Sequence, residues 1–242
     1  IEVIGPEENP SLDTVAVIRH YRLAEEFPAA VIQEAERAGA RMERPGARID
    51  LRNLFIFTVD PATARDFDDA LSLERDAQGR RVLGVHIADV SHFVVPGTEL
   101  DREAFRRGNS VYLPDRVLPM LPEHLSNGLC SLNPDQDRLA FSVFLTLDDE
   151  GRPVASRFGK SIIRSKLRLT YEQALALIET RPGMRSPVPG VGVEVMEQVH
   201  RLHALAQQMR RRRFDQYALD LDLPESQVVI GANGLIEDIR RV

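Results

Sequence analysis

The apolar run Leu54-Phe55-Ile56-Phe57-Thr58-Val59 passes directly into a segment, Asp60 to Asp69, that holds four carboxylates: Asp60, Asp66, Asp68 and Asp69. A run of this length and composition reads as a buried strand. A strand that delivers its last residue and the following loop to one point can gather the oxygen ligands that a hard divalent cation such as Mg²⁺ requires. The electrostatics make the arrangement costly if the groups converge, because two unit charges about 4 Å apart repel by about 4 kcal/mol at an effective dielectric of about 20. Such a cluster needs cations, raised pKa values or wide separation. The plain alternative is a solvated turn, since Asp favours turns and Pro61 is good turn chemistry. Against it, Phe67 and Ala70-Leu71 interleave with the acids and pull the loop toward a core.

Spacing separates the chemistries these acids could serve. An EF-hand loop beginning at Asp66 needs Gly at its sixth position and Glu at its twelfth, where the chain has Leu71 and Ala77. A phosphoaspartyl site needs a second acid two residues after the strand-end Asp60, and Ala62 stands there. Phosphodiester hydrolysis by two metal ions needs several carboxylates clamping both ions, and the four aspartates suit it best.

Three blocks carry a resemblance. FTVDPATARDFDDALS (Phe57 to Ser72), GVHIADVSHFV (Gly84 to Val94) and RGNSVYLPDRVLPMLPEHLSNGLCSLNP (Arg107 to Pro134) resemble, in order and wording, the catalytic (RNB) domain of the ribonuclease II and ribonuclease R family, and sit closer to ribonuclease R. The resemblance implies a hydrolytic exoribonuclease that degrades single-stranded RNA from its 3′ end to nucleoside 5′-monophosphates, with Mg²⁺, or Mn²⁺ in its place, as cofactor. It implies that Asp60, Asp66, Asp68 and Asp69 hold the metals, that Tyr112 of SVYLP stacks on a base near the RNA end, and that Tyr171 of RLTYEQ contacts the terminal nucleotides. Residues 1–49 then read as the end of a preceding module plus a helical connector, and 50–242 as the N-terminal part of the catalytic domain. The family's domain continues past the point matching Val242, so the chain reads as roughly half of it. A first methionine at Met42 fits a truncated start. A noncatalytic RNA-binding or structural fragment is the other reading.

Composition is consistent with a globular chain. At 242 residues and 43% hydrophobic content it can build one substantial core. The single Cys130 rules out an internal disulfide framework, suits a reducing cytoplasm and reads as a small buried hydrophobe. No apolar run reaches the 18 residues of a membrane span, so no membrane partner is expected; protein partners are not indicated. A net charge of −6 argues against nonspecific coating of nucleic acid, which draws on clustered Lys and Arg. Any RNA contact must be local. The run Arg210 to Arg213 closes a helix from about Val193, where it can meet the helix dipole or an RNA phosphate.

The remaining pattern gives helices at 11–20, 28–38, 100–107 and 171–180, the last with the capping box Thr170/Gln173. Strands are expected at 54–59, 70–75, 81–88, 138–147 and 153–168, with a hairpin turn at 76–79 and a final hairpin, 226–230 with 235–240, turning at 231–234. A loop is expected at 180–192. Helices and strands in no regular alternation make the fold α+β, a mixed and largely antiparallel sheet flanked by helices. His86, Asp89 and His92 offer zinc-type ligands, but residues 86 and 92 share strand parity only if the strand runs unbroken, which Asp89-Val90-Ser91 argues against, and a structural role is favoured.

Overall fold

Residues that alternate between buried and open along 69–75, 81–88 and 137–147 have the period of strands with one covered face. The computed structural model describes residues 11–43, 46–219, 226–231 and 235–241, with the single positions 3, 5, 221, 223 and 224. In chain order the helices are α1 (Ser11–Tyr21), α2 (Ala29–Ala38), α3 (Val90–Phe93), α4 (Glu99–Arg107), α5 (Tyr171–Glu179) and α6 (Val193–Asp215). The strands are β1 (Ile49–Asp50), β2 (Phe57–Asp60), β3 (Asp69–Arg75), β4 (Arg81–Ala88), β5 (Val111–Tyr112), β6 (Val117–Leu118), β7 (Asp137–Leu147), β8 (Pro153–Arg164), β9 (Leu167–Thr170), β10 (Ser226–Ile230) and β11 (Ile236–Arg241). A 3₁₀ turn, Gly39–Arg41, follows α2, and a π-helical turn occupies His124–Leu129. The fold is α+β, as the pattern predicts. The chain divides into two compact units, Arg37–Val94 with Glu123–Leu219, and Ile1–Glu36 with Val95–Pro122 and Asp220–Val242.

The first unit is built on a sheet in the order β1-β8-β7-β4-β3-β2-β9, antiparallel except for β1 beside β8 and β2 beside β9. Arg164 and Leu167 are three residues apart in sequence, and so at most about 11 Å apart in space. In a flat sheet the five places between β8 and β9 would separate them by about 24 Å. The sheet therefore curls until its ends meet. The Lys166 N–H reaches the Ile56 carbonyl at 2.7 Å, and the Leu51 N–H reaches Ile162 O at 2.8 Å. The strand expected over 153–168 is accordingly two, broken at Ser165-Lys166 where the chain changes partner. The strand expected at 54–59 shortens to Phe57–Asp60 because Leu54 is drawn into a turn, its N–H bonded to Leu51 O at 3.0 Å.

A buried polar chain crosses the inner face of this sheet. Ser72 Oγ lies 2.9 Å from His86 Nε2, His86 Nδ1 2.7 Å from Ser142 Oγ, Ser142 Oγ 2.7 Å from Ser161 Oγ, and Ser161 Oγ 3.2 Å from Ala140 O. Proton counting fixes the direction. Ser161 spends its hydroxyl proton on the Ala140 carbonyl, so Ser142 donates to Ser161 and the His86 Nδ1–H to Ser142, leaving Nε2 to accept from Ser72. The imidazole is thus neutral, and burial pushes its pKa down to about 4. Close by, Arg48 and Asp89 form an ion pair at 2.6 Å with side chains only 1% and 3% exposed. His92 Nε2 meets Arg41 O at 2.9 Å. His86, Asp89 and His92 therefore serve three separate structural contacts.

The outer face is covered by α5 and α6, which bury Phe57, Leu169, Leu177, Met196 and Val199 together, and Leu205 against Leu73 and Leu147. The capping box of α5 forms as expected, with Thr170 N–H bonded to Gln173 Oε1 at 2.9 Å and Gln173 N–H to Thr170 Oγ1 at 3.2 Å. Cys130 is buried and its thiol pushed up to about 12, chiefly by desolvation.

The second unit packs α1, α4 and most of α2 with the hairpin β5–β6. Glu34 accepts from the Leu100 N–H in the first turn of α4 at 2.9 Å. Arg107 ties the far end, donating to Ala24, Glu26 and Pro119 carbonyls with its guanidinium 3.7 Å above the Phe27 ring. The hairpin β10–β11 also belongs here; its expected turn residues 232–234 lie outside the described residues. Among the described residues no helix is long and apolar enough to cross a membrane.

The neutral His86 gives this fold an acid-sensitive point. An unfolded histidine titrates near 6.5 and folded His86 near 4, so between those values the unfolded chain binds more protons. Stability is level above about pH 6.5 and falls as pH drops toward 4, by up to about 3 kcal/mol. Urea unfolding between pH 7 and 4.5 should show a steeper loss in the native chain than in His86→Gln. Equal slopes would remove His86 as the source.

Candidate functional site

Asp60 is the last residue of β2, and the strand pairings decide what stands beside it. Phe57, Thr58, Val59 and Asp60 run parallel to Leu167, Arg168, Leu169 and Thr170, so Tyr171, which opens α5, follows directly on the residue opposite Asp60. On its other side β2 pairs with β3 only at Phe57 against Leu71. Continued by three residues, that register sets Asp60 level with Asp68, and Asp69 begins β3. The strands part at this point, and the intervening loop carries Asp66. Backbone topology alone thus gathers the four acids and Tyr171 around one strand end.

Their environments differ. Asp60 is 8% exposed, Asp66 half-buried, and Asp68 and Asp69 open to solvent. Burial first, then the charges of Asp69 and Asp66, raise the Asp60 carboxyl above its ordinary range, and Arg168 partly offsets them. Asp68 is raised by partial desolvation and by repulsion from Asp66, Asp69 and Asp60; its open side screens that repulsion. Thr58 Oγ1 lies near enough to ease the burial of Asp60 but out of hydrogen-bonding geometry, and both Thr58 Oγ1 and Asp60 Oδ2 are buried without a partner. An anionic oxygen in that position is expensive unless a donor or cation meets it. The donor chemistry, all carboxylate oxygen, suits a hard divalent ion. The geometry is not a closed cage, since among the described residues no three His, Cys, Asp or Glu side chains form a group that could hold an ion. The acids sit close enough for their charges to raise the carboxyls of Asp60 and Asp68 without forming a closed group.

The loop that carries them is pinned. Arg168 donates to Pro61 O at 2.6 Å and Ala62 O at 3.1 Å, and its guanidinium lies 5.3 Å over the Phe67 ring. Phe67 is buried with Ile56, Leu132 and Ile163. Ser131 Oγ donates to Arg65 O and accepts from the Phe67 N–H, each at 3.0 Å. The Leu132 N–H reaches Phe67 O and the Ala88 N–H reaches Asp68 O, both at 2.9 Å. A freely solvated turn is excluded by these bonds. Sequence reasoning missed Arg168 and Ser131; the one available signal was Leu167-Arg168-Leu169, whose alternation turns an arginine away from two core leucines.

Tyr171 is 57% exposed at the start of α5. Tyr112 is 68% exposed on β5, in the other compact unit. Arg210, Arg211 and Arg213 are exposed near the end of α6, with the Arg210 guanidinium 5.3 Å from the Phe214 ring centroid.

Because Ser131 alone satisfies both Arg65 O and the Phe67 N–H, Ser131→Ala leaves a buried donor unpaired and should destabilise the chain by about 1–3 kcal/mol. Removing like charge should act in the opposite direction. The raised carboxyls cost stability once ionised, present in full above their folded pKa, so Asp68→Asn should raise the melting temperature at pH 7 in chelator. Thermal unfolding of both variants measures the two signs; a lower melting point for Asp68→Asn would contradict the electrostatic reading.

A profile of the RNB domain matches residues 48–241. Ribonuclease R of Aquifex aeolicus is 42% identical over 236 residues, covering 97% of this chain and 33% of that protein. Among solved structures, Mycoplasma genitalium RNase R in complex with ribose-methylated single-stranded RNA matches with a TM-score of 0.88 at 29% identity, over 100% of this chain and 37% of that one. Yeast Ssd1, a pseudonuclease, shares the fold at a TM-score of 0.59 and 23% identity, over 72% of this chain and 20% of its own. The chain thus spans about a third of the length of the ribonuclease R relative from Aquifex. With the profile covering most of its length and the sheet architecture in agreement, the chain belongs to the RNB domain family.

Proposed function

We propose that this chain is the acidic, metal-binding part of an exoribonuclease that hydrolyses single-stranded RNA from its 3′ end to nucleoside 5′-monophosphates. The observation that carries the reading is the buried, unpaired Asp60 Oδ2 at a strand end shared with Asp66, Asp68 and Asp69 in a chain of the RNB family. These four aspartates would hold divalent cations, Mg²⁺ or in its place Mn²⁺. When bound, such ions supply an activated water and neutralise charge on the leaving oxygen. Arg168 keeps the loop in place and moderates the charge of Asp60. The exposure of Tyr171 and its position one residue beyond the partner of Asp60 support a contact with the terminal nucleotides. The exposure of Tyr112 supports base stacking, worth about 1–3 kcal/mol per base and indifferent to sequence.

The same reading takes residues 1–49 as the end of a preceding module and a connector, and 50–242 as the N-terminal part of the catalytic domain; a family match beginning at residue 48 supports it. A buried lone thiol fits the reducing cytoplasm. The second reading, a noncatalytic RNA-binding or structural fragment, is favoured by the acids not closing into a cage.

In chelator-treated protein, added Mg²⁺ or Mn²⁺ should raise the melting temperature, and Asp60→Asn should shift the required concentration at least tenfold upward. With the cation present, shortening of a 5′-labelled single-stranded RNA from its 3′ end should fall about a hundredfold, or about 3 kcal/mol, in Asp68→Asn. A cation response without RNA shortening selects the noncatalytic reading, and no cation response sinks the metal site.

A further inference from the structure

Three of the five buried side-chain atoms that lack a hydrogen-bond partner among the described residues belong to one pair of strands: Thr58 Oγ1 and Asp60 Oδ2 on β2, and Arg168 Nε on β9. Thr58 and Asp60 are two residues apart in a strand and so share a face, and Arg168 stands directly opposite Thr58 in the register. The Arg168 guanidinium ends on the Pro61 and Ala62 carbonyls at 2.6 and 3.1 Å, so its side chain runs along β2 from the level of Thr58 past Asp60. Both Thr58 Oγ1 and the Arg168 charge act on the Asp60 carboxyl.

Their chemistry is complementary. The Arg168 Nε–H can only donate, an ionised carboxylate oxygen can only accept, and a hydroxyl does both. One arrangement therefore satisfies all three, in which Thr58 accepts from Nε–H and donates to Asp60 Oδ2. A direct bond from Nε–H to Oδ2 would leave the hydroxyl unmet, and each buried group left unmet costs free energy, the charged ones most. In the structure the hydroxyl lies near Asp60 but outside hydrogen-bonding geometry. The terminal torsion of an aspartate is broad, so turning the carboxyl toward Thr58 costs little.

The hydroxyl itself asks for such a role. Thr58 is fully buried between Phe57 and Val59, a strand position that valine would fill equally well without a polar atom to bury. The two oxygens of Asp60 also differ. Oδ2 is enclosed, whereas Oδ1 is not among the buried unpartnered atoms and accepts no hydrogen bond among the described residues, so Oδ1 is the oxygen left open.

We propose that Thr58 is a positioning residue of the acidic site: its hydroxyl bridges Arg168 Nε to Asp60 Oδ2, holding that oxygen inward and leaving Oδ1 to face a cation. The bridge stands on the three buried atoms; its service to a cation rests on the exoribonuclease reading. Groups that hold a metal-binding carboxylate from behind govern metal affinity by about ten- to a hundredfold.

The test compares two substitutions in the 242-residue chain: Thr58→Val, which keeps the shape of the side chain and removes the hydroxyl, and Thr58→Ser, which keeps the hydroxyl. In chelator, removing a buried hydroxyl that bonds nothing should raise the melting temperature, and removing one that joins two buried charged groups should lower it. Thr58→Val should therefore melt below the native chain; a higher melting point overturns the bridge. Titrated with Mn²⁺, Thr58→Val should need about tenfold more cation than the native chain for the same rise in melting temperature, and Thr58→Ser the native amount. An unchanged requirement in Thr58→Val, or an equal increase in Thr58→Ser, overturns the positioning role. If the native chain does not respond to Mn²⁺, the exoribonuclease reading fails and the positioning role with it, while the comparison in chelator still decides the bridge.

Discussion

Between Arg164 and Leu167 the chain changes partners, bonding to β7 before this point and, from the Lys166 N–H to the Ile56 carbonyl onward, running beside β2. Parallel neighbours ordinarily need a long crossover connection. Here the curl of the sheet replaces it, because β2, β3, β4, β7 and β8 lead round to the starting edge. The consequence is positional. Only with β9 parallel to β2 does the C-terminal end of β2, with Asp60, meet the N-terminal end of α5, with Thr170 and Tyr171. The Arg168 guanidinium of β9 then lies close enough to ease the charge of Asp60.

That relief is partial, and the remainder explains the shape of the site. The loop backbone is fixed by the Ser131 hydroxyl, the Arg168 guanidinium and the Ala88 N–H. With Cα positions held, like-charged side chains can lower their repulsion only by turning apart or by taking up protons. Both responses are visible: Asp60 and Asp68 have raised pKa values, and the acids do not converge into a closed group. The backbone is rigid where the carboxylates are strained, as expected where binding a cation needs little rearrangement of the chain.

What could be read from the sequence was what depends on near neighbours. The capping box Thr170/Gln173, the hairpin turn at 76–79 and the helices 11–20, 28–38 and 100–107 are set by contacts a few residues long, and the structure places each within about two residues, while the strand leading into the four acids starts three residues late. The break at Ser165-Lys166 could not be read, because Ile162 to Leu169 would continue as one strand by propensity if β2 were not waiting. The two-residue strands β1, β5 and β6 carry no periodicity. Arg168 and Ser131 act on carbonyls 107 and 66 residues away in sequence, a distance at which pattern has no purchase. The π-helical turn has no propensity signature at all.

The alternation of the aspartate loop gives it two faces. Arg65 and Phe67 line an open hollow under the π-helical turn, while the charges of Asp66 and Asp69 act on Asp60 and Asp68. The loop backbone is common to both, and Ser131 holds it by the two atoms, Arg65 O and Phe67 N, that flank Asp66. The backbone of Arg65 therefore cannot shift without moving the carboxylate next to it. Because the loop is held by bonds to the core as well as by its own turn, in which the Ala64 N–H meets Pro61 O at 3.1 Å, such a displacement is resisted instead of absorbed. The geometry of the acids thus depends on contacts made on the opposite face of the same four residues.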